Sequence, residues 1–340
     1  MHDQARSWYE RRHSRSSDWP LPDLLAAKGS TRVSVVLPAR DEQRTVGGIV
    51  AAIRDRLMHR HPLVDELVVM DSGSTDRTAR VAAAAGARVV SRADVLPEIP
   101  PVPGKGEVLW RSLAATTGQL VVFCDADLTD FDPGFLVGLL GPLLTDRGVH
   151  LVKAAYDRPL SVGRRMLPAG GGRVTELVAR PLLNLYWPLL AGFVQPLAGE
   201  YAARRELLER LPFPTGYGVD IGLLIDALGE VGLDGLAQVD LGRRSHRHQP
   251  DAALGAMSSE IVQAVLHRLT REGRAWLPEP SAGLVGFARS GDGYQARTVT
   301  VAPVERPPMR EMVRTHPIRA TIRSRSPAAG TLRRSSSDSG

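Results

Sequence analysis

Two aspartates separated by one residue, Asp125 and Asp127, follow an apolar run at residues 120–124. Carboxylates with this spacing at a strand end can share a divalent cation, and Mg²⁺ or Mn²⁺ held there can bridge to a diphosphate. The same spacing is also common in plain polar turns. The residues alone therefore leave both a metal site and a turn open.

Basic side chains at three other places could bind an anion or complete a metal shell. Lys105 lies between two glycines at the start of a predicted helix. It could contact a phosphate or a base, or it could be an ordinary exposed lysine. Arg173 follows three glycines and opens another predicted helix; this pattern fits an anion site and a flexible linker equally well. His246 and His248 lie in a basic loop, where one imidazole could bind a metal or both could be solvated.

Two further carboxylates, Glu200 and Asp220, lie beside glycine-containing turns and could face a sugar hydroxyl or cap a helix. The first predicted strand does not lead into Gly-x-Gly-x-x-Gly, and the sequence contains no Gly-x-x-x-x-Gly-Lys-[Ser/Thr] segment. Nucleotide binding through either of these two motifs is therefore disfavoured.

Short apolar segments alternate with helical patterns between residues 33 and 156. This alternation predicts an α/β fold whose mostly parallel sheet is flanked by helices. Ligands bind beyond the carboxyl ends of such strands, so the polar residues 38–42, 71–74 and 125–127 should meet in one crevice. The predicted strands cover residues 33–38, 66–70, 87–91, 120–124 and 149–155.

The chain divides by composition into four predicted parts. Residues 1–32 are expected to be a loosely ordered extension, although Trp8 and Trp19 could dock on the core. Residues 33–156 form a regular half of alternating strands and helices, and residues 157–304 form a less regular half. Residues 305–340 form a basic tail rich in Ser, Arg and Pro, which is expected to be largely disordered.

The net charge of +6 belongs to the two ends of the chain. Residues 33–304 hold 29 basic and 30 acidic side chains, so the body is close to neutral. A dedicated nucleic-acid-binding protein would carry a basic stripe on its folded domain. The charge therefore gives no support to a specific nucleic-acid partner.

The sequence also limits where the protein can work. It has no apolar run of about 18 residues, as a membrane-spanning helix would need, and its polar N-terminus lacks the apolar stretch of a secretion signal. Its single cysteine, Cys124, cannot form an internal disulfide. We therefore expect a cytoplasmic protein without a membrane span.

These motifs resemble those of the GT-A glycosyltransferases, in which an Asp-x-Asp follows a strand of a nucleotide-sugar-binding sheet. Over about residues 33–312 the chain is more closely similar to the actinobacterial glucosyl-3-phosphoglycerate synthases. The resemblance is carried by the segments 33–39, 70–76, 103–113, 170–183, 195–201 and 216–224.

The resemblance implies transfer of glucose from UDP-glucose to the 2-hydroxyl of 3-phosphoglycerate, with retention at the anomeric carbon. It also implies a homodimer and a divalent metal, Mg²⁺ or Mn²⁺. A metal at this place would neutralise the leaving diphosphate.

The resemblance further implies that residues 33–156 are the nucleotide-sugar-binding half and residues 157–304 the acceptor-binding half, and it implies a role for each matching residue. The uridine diphosphate is expected at Pro38, Ala39, Arg40, Asp41, Glu42, Ser72, Lys105, Asp125 and Ala126. The donor sugar is expected at Tyr217, Gly218, Val219 and Asp220. The acceptor is expected at Gly172, Arg173, Val174, Thr175 and His248. The metal is expected at Asp127 and His246, and the catalytic residues are expected to be Asp127, Arg173 and Asp220.

The chain departs from the family pattern at several places; among them, His248 stands where an Asn is expected and Asp220 where a Glu is usual. The nearest alternative is accordingly a related transferase that uses GDP-mannose or another small acid acceptor. A basic nucleic-acid-binding protein is the alternative from another class, and a catalytically inactive homologue is a third.

Overall fold

The structure, a computed structural model, describes residues 2–157, 160–162, 165–167, 172–243, 251–276, 282–290, 293–302 and 304–315. The helices of this part of the chain are α1 (Asp3–Arg12), α2 (Leu21–Lys28), α3 (Val46–Ile53), α4 (Thr78–Ala84), α5 (Lys105–Ala115), α6 (Gly134–Thr145), α7 (Arg180–Tyr186), α8 (Arg205–Leu208), α9 (Val219–Val231), α10 (Asp251–Arg271) and α11 (Met309–Thr315). The strands are β1 (His13–Arg15), β2 (Val33–Ala39), β3 (Glu66–Asp71), β4 (Arg88–Ser91), β5 (Leu120–Phe123), β6 (Leu151–Asp157), β7 (Leu160–Val162), β8 (Arg165–Leu167), β9 (Tyr201–Arg204), β10 (Phe213–Pro214), β11 (Leu236–Arg243), β12 (Gly283–Ser290), β13 (Gly293–Thr300) and β14 (Glu305–Arg306).

The main sheet has the strand order β1-β11-β6-β9-β5-β2-β3-β4. Its strands are parallel except for β9, which lies antiparallel between β5 and β6. This arrangement confirms the predicted α/β fold with a mostly parallel sheet.

Both faces of the sheet are covered, because alternate residues of its strands enter two different cores. Val36 and Val68 face one hydrophobic cluster, while Val35 and Val69 face the other. Strands buried on both faces need the continuous apolar runs seen in this sequence.

The strands that carry the predicted site are neighbours in the sheet. β5 pairs with β2 and β2 pairs with β3, all in parallel, so their carboxyl ends lie at one edge. The residues that follow those ends are thereby brought together.

The N-terminal residues differ from the predicted loose extension. The Trp8 side chain of α1 is fully buried, its Nε1 donates a hydrogen bond to the Leu236 carbonyl at 2.8 Å, and its ring lies 4.4 Å from that of Phe193. β1 pairs in parallel with β11. Docking of a buried aromatic side chain thus outweighs the polar composition of this segment.

The predicted division at residue 156 does not separate two cores in the described residues. β9 and β11 come from the second predicted half, yet they join the sheet built by β2, β3 and β5. At the other end, β14 pairs with β10, and α11 follows it. Residues 305–315 therefore differ from the predicted disordered tail, while residues 316–340 lie outside the described residues.

None of the helices in the described ranges is both long and apolar enough to cross a membrane.

We predict that Trp8→Ala lowers the free energy of unfolding by about 3–5 kcal/mol, because it removes a buried indole together with its hydrogen bond. Urea denaturation measures the change. Trp276→Ala is the matched control, since that side chain is 87% exposed and its loss should change stability by less than about 0.5 kcal/mol. Equal stability of the Trp8 variant and the wild type would show that α1 is not anchored through this side chain.

Candidate active site

A cavity of about 890 Å³ lies at the carboxyl ends of β2, β3 and β5. It brings together most of the predicted site residues, from both predicted halves of the chain. Those that line it are Pro38, Ala39, Arg40, Glu42, Ser72, Lys105, Asp125, Ala126, Asp127, Gly172, Arg173, Val174, Thr175, Tyr217 and Asp220.

The ammonium group of Lys105 lies at the centre of the polar wall. Its Nζ is 2.8 Å from Asp125 Oδ1 and 3.6 Å from Asp220 Oδ2. Asp125 comes from the end of β5, Lys105 from the start of α5 and Asp220 from the start of α9. One partly buried cation therefore joins three separate segments of the chain.

Glycines allow this close approach. Gly104 has a φ of +122°, and a Cβ there would collide with the Thr215 carbonyl oxygen. A Cβ on Gly106 would collide with the Pro214 carbonyl oxygen. The start of α5 can thus pack directly on the backbone that leads into α9, and this contact brings Lys105 to Asp220.

The charges of this cluster are set by burial and by one another. Burial alone would lower the pKa of Lys105, but Asp125 and Asp220 outweigh burial and raise that pKa well above its ordinary value. Burial raises the pKa of Asp220 against the opposing effect of Lys105 and Lys153. Lys105 is therefore a permanent cation at neutral pH, placed to meet an anionic ligand.

The loops after β2 and β3 are joined by hydrogen bonds. Asp41 has a φ of +58°, and its Oδ1 accepts a hydrogen bond from the backbone N–H of Thr75 at 2.7 Å. The backbone N–H of Glu42 donates to Thr78 Oγ1 at 2.7 Å. Asp41 does not line the cavity; its carboxylate shapes the loop that does.

Gly218 and Val219, predicted to contact the sugar, also do not line the cavity. Val219 is fully buried in a hydrophobic core, and Gly218 packs closely against Ala264 of α10. Their neighbours Tyr217 and Asp220 do line it. The predicted residues His246 and His248 lie outside the described residues.

The residues predicted to hold the acceptor are carried by a helical turn. Gly172 has a φ of +84°, which favours glycine, and its carbonyl accepts the backbone N–H of Glu176 at 3.0 Å. Val174 and Thr175 are buried, whereas Arg173 is exposed at the cavity wall. This arrangement suits an anionic group, because a guanidinium there lies at a helix start.

The donor set suits a hard divalent cation that is completed by substrate oxygens. Among the described residues, no group of three or more His, Cys, Asp or Glu side chains is arranged to hold a metal ion. Asp127 lines the cavity, and Asp125 pairs with Lys105. Mg²⁺-like ions are often held by one or two carboxylates together with phosphate oxygens, so Asp127 beside a diphosphate fits this pattern.

Sequence reasoning missed Glu260 of α10 as part of the cavity wall. Its Oε2 accepts a hydrogen bond from the backbone N–H of Tyr217, and burial raises its pKa. Nothing in the sequence near Glu260 points to a site, because only tertiary packing brings α10 to the loop at Tyr217.

The far end of the chain also reaches the cavity. We call residues 304–312 the C-terminal strap. Val304 lines the cavity, and its carbonyl accepts the backbone N–H of Thr215 at 2.8 Å. Arg306 pairs with the fully buried Glu107 of α5 at 2.6 Å. The strap thus connects α5 to the loop before α9.

The sequence profile of glycosyl transferase family 2 matches residues 34–168. Together with the sheet and the cavity at its strand ends, this match defines a family 2 glycosyltransferase of GT-A type. The glucosyl-3-phosphoglycerate synthase of Mycolicibacterium smegmatis is 54% identical over 291 residues, which cover 86% of this chain and 93% of that one. The chain belongs to the glucosyl-3-phosphoglycerate synthase family.

Solved structures agree with this assignment. The chain is similar to glucosyl-3-phosphoglycerate synthase from Mycobacterium tuberculosis in complex with Mn²⁺, UDP-glucose and phosphoglyceric acid, with a TM-score of 0.75 and 50% identity over 86% of this chain and 95% of that one. It is also similar to mannosyl-3-phosphoglycerate synthase from Rubrobacter xylanophilus, with a TM-score of 0.84 and 44% identity over 91% of this chain and 98% of that one.

We predict that Gly199→Ala raises the KM for the nucleotide-sugar donor by about tenfold or more. Gly199 lines the cavity, and a Cβ there would collide with Asp125 Oδ2 and the Lys105 ammonium, so this ion pair must shift. Steady-state kinetics measures the change.

Gly229→Ala is the matched control for this substitution, because a Cβ at that exposed position of α9 meets no atom within 4 Å. Its kinetics should equal those of the wild type. An unchanged donor KM in Gly199→Ala would mean that the Lys105–Asp125 pair does not contact the donor.

Proposed function

We propose that the protein moves glucose from UDP-glucose to the 2-hydroxyl of 3-phosphoglycerate, with retention at the anomeric carbon. The observation that carries the proposal is the cavity, which combines the Lys105–Asp125–Asp220 cluster and Asp127 with Arg173 on another wall. Relatives of 50–54% identity along most of the chain are glucosyl-3-phosphoglycerate synthases, which supports this choice of substrates.

In this proposal the uridine diphosphate lies along the ends of β2, β3 and β5. Pro38, Ala39, Arg40 and Glu42 contact it from the first loop, and Asp41 contributes by holding that loop in shape. Ser72, Lys105, Asp125 and Ala126 complete the nucleotide wall.

Tyr217 and Asp220 face the donor sugar. Gly218 and Val219 support them from the core rather than by contact. Gly172, Arg173, Val174 and Thr175, with His248, hold the acceptor's phosphate and carboxylate.

Asp127, with His246, would hold the divalent ion. When bound, that ion acts as a Lewis acid that neutralises the charge of the leaving diphosphate. The Lys105 ammonium adds a fixed positive charge at the same wall, and its raised pKa keeps it protonated throughout the reaction. The Arg173 guanidinium orients the doubly anionic acceptor so that its 2-hydroxyl faces the anomeric carbon.

We assign no covalent glycosyl-enzyme to this site. Asp220 is buried, and its Oδ2 lies 3.6 Å from the Lys105 ammonium, so its carboxylate is held in an ion pair rather than placed as a free nucleophile. Attack from the front face, with an oxygen of the leaving phosphate accepting the hydroxyl proton, then accounts for retention.

Mannosyl transfer from GDP-mannose to the same acceptor is the second candidate function. It is favoured by the similarity to the Rubrobacter xylanophilus mannosyl-3-phosphoglycerate synthase, whose TM-score of 0.84 is measured over 98% of that chain. The two candidates differ in the donor and share the fold.

A donor-by-acceptor panel tests the proposed function. UDP-glucose and GDP-mannose are each combined with 3-phosphoglycerate and with its 2-phosphate isomer, with Mn²⁺ or with a chelator. We expect UDP-glucose with 3-phosphoglycerate and Mn²⁺ to give the highest kcat/KM by about tenfold or more, and the chelator to abolish turnover. A higher kcat/KM with GDP-mannose would replace glucosyl transfer by the second candidate.

We predict that Arg173→Ala raises the KM for 3-phosphoglycerate at least about tenfold and changes the KM for UDP-glucose less than about twofold. The variant loses a charge-assisted contact with the acceptor only. Arg147→Ala is the control, because that exposed side chain lies before the amino end of β6, on the side of the sheet away from the cavity. Unchanged acceptor kinetics in Arg173→Ala would move the acceptor site elsewhere.

We also propose that the protein is a cytoplasmic homodimer. The cytoplasm suits a buried free thiol at Cys124 and a pair of intracellular metabolites as substrates. Light scattering on the purified protein gives the molar mass, and a value near 36.8 kDa would contradict the dimer.

A further inference from the structure

A row of buried side chains crosses the sheet at the level where β5 ends. Tyr201 of β9 pairs in register with Phe123 of β5 on one side and with Lys153 of β6 on the other. Gln238 of β11 lies next to Lys153. The four side chains are at most 2% exposed. A lysine in such a row is unusual, because a charged side chain is rarely buried unless it is paired.

Two polar side chains of this row, Lys153 and Gln238, bind a segment outside the sheet. Lys153 Nζ donates a hydrogen bond to the Ala198 carbonyl at 2.7 Å. Gln238 Nε2 donates to the Gly192 carbonyl at 2.9 Å, and Gln238 Oε1 accepts the backbone N–H of Val194 at 2.9 Å. These hydrogen bonds hold residues 192–200 against the sheet, and we call these residues the 192–200 segment.

The 192–200 segment forms part of the cavity wall. Leu197 and Gly199 line the cavity on either side of Ala198. The backbone of Gly199 lies against Asp125 Oδ2 and the Lys105 ammonium so closely that no side chain fits between them. The hydrogen bond from Lys153 thus fixes Ala198, the residue that precedes Gly199.

Several charged groups surround the Lys153 ammonium. It lies 4.6 Å over the ring of Tyr201, and it is attracted by Asp220, Glu200 and Asp125 and repelled by Lys105. Burial lowers its pKa to about 8 despite these carboxylates. An apolar side chain at this position would avoid the desolvation cost of a buried ammonium group. It would also lack the hydrogen bond to the Ala198 carbonyl, which the lysine makes.

We propose that Lys153 is a positioning residue of the transferase site, which fixes the 192–200 segment so that Gly199 holds the Lys105–Asp125 pair against the donor diphosphate. The proposal rests on the proposed function, which supplies the donor. Lys153 itself does not line the cavity, so it acts through Gly199.

A double-mutant cycle of Lys153→Met and Gly199→Ala tests this proposal. Lys153→Met should lower kcat/KM for UDP-glucose about tenfold or more and leave the KM for 3-phosphoglycerate within about twofold. If the two residues act through one contact, the kcat/KM of the double variant should lie within about twofold of the kcat/KM of the more damaged single variant. If the losses of kcat/KM in the two single variants multiply in the double variant, the proposal is overturned.

Lys28→Met is the matched control, because Lys28 is also buried and pairs with Asp65 beside the amino end of β3, away from the cavity. Thermal unfolding reports the stability of each variant, and Lys28→Met should keep wild-type kinetics even where its stability falls. An equal kinetic loss in Lys28→Met would assign the effect of Lys153 to stability and overturn the proposal. Should Lys153→Met fail to fold, Lys153→Leu, which also lacks a hydrogen-bond donor, takes its place under the same criteria.

Calorimetric binding of UDP with Mn²⁺ repeats the cycle without turnover. Wild-type protein that binds UDP but transfers no glucose would contradict the proposed function alone, and the coupling between Lys153 and Gly199 would still be read from UDP affinity. Independent effects on UDP affinity, or no UDP binding by the wild type, would overturn the role of Lys153.

Discussion

One partly buried ammonium group, paired with two carboxylates, organises the whole site. Lys105 meets Asp125 at 2.8 Å and Asp220 at 3.6 Å, and these three residues belong to the start of α5, the end of β5 and the start of α9. A buried charge without partners would destabilise the fold, so these elements must bring the ammonium and the two carboxylates together. In the proposed function this cation meets the donor diphosphate.

Elements far apart in the sequence keep this cluster in place. The backbone of Gly104 and Gly106 packs on Pro214 and Thr215, and the C-terminal strap ties α5 to the same loop through Arg306 and Val304. On the other side the 192–200 segment presses against the ion pair through Gly199. The polar wall is therefore a product of tertiary packing on every side.

The sequence predicted the part of the site that follows from local pattern. Apolar runs such as residues 33–37 and 120–124 are typical of buried parallel strands, and polar residues after them had to meet at one sheet edge. Glycine-flanked basic residues already pointed to Lys105 and Arg173, and the longer resemblance to one family of transferases added Tyr217; all three line the cavity. Asp41 shows the limit of this reasoning, since it lies in the right loop but its side chain braces Thr75 instead of entering the cavity.

Residues that reach the site only through packing could not be predicted in the same way. Glu260 lies within a long helix whose sequence carries no motif, and it contacts Tyr217 because α10 packs beside α9. Trp8 and Arg306 lie in segments of polar or basic composition, and their specific partners, the Leu236 carbonyl and Glu107, order those segments. Composition reports an average over a segment, whereas one buried contact decides whether it docks.

In the proposed function a donor diphosphate and a divalent ion meet at the end of β5, between Asp127 and Lys105. A crystal structure with Mn²⁺, UDP and 3-phosphoglycerate, measured at a wavelength where manganese scatters anomalously, would test this arrangement. We expect an anomalous peak bonded to the Asp127 carboxylate, with the diphosphate beside Lys105 and the acceptor phosphate at Arg173. A manganese peak away from Asp127, or UDP bound outside this cavity, would contradict it.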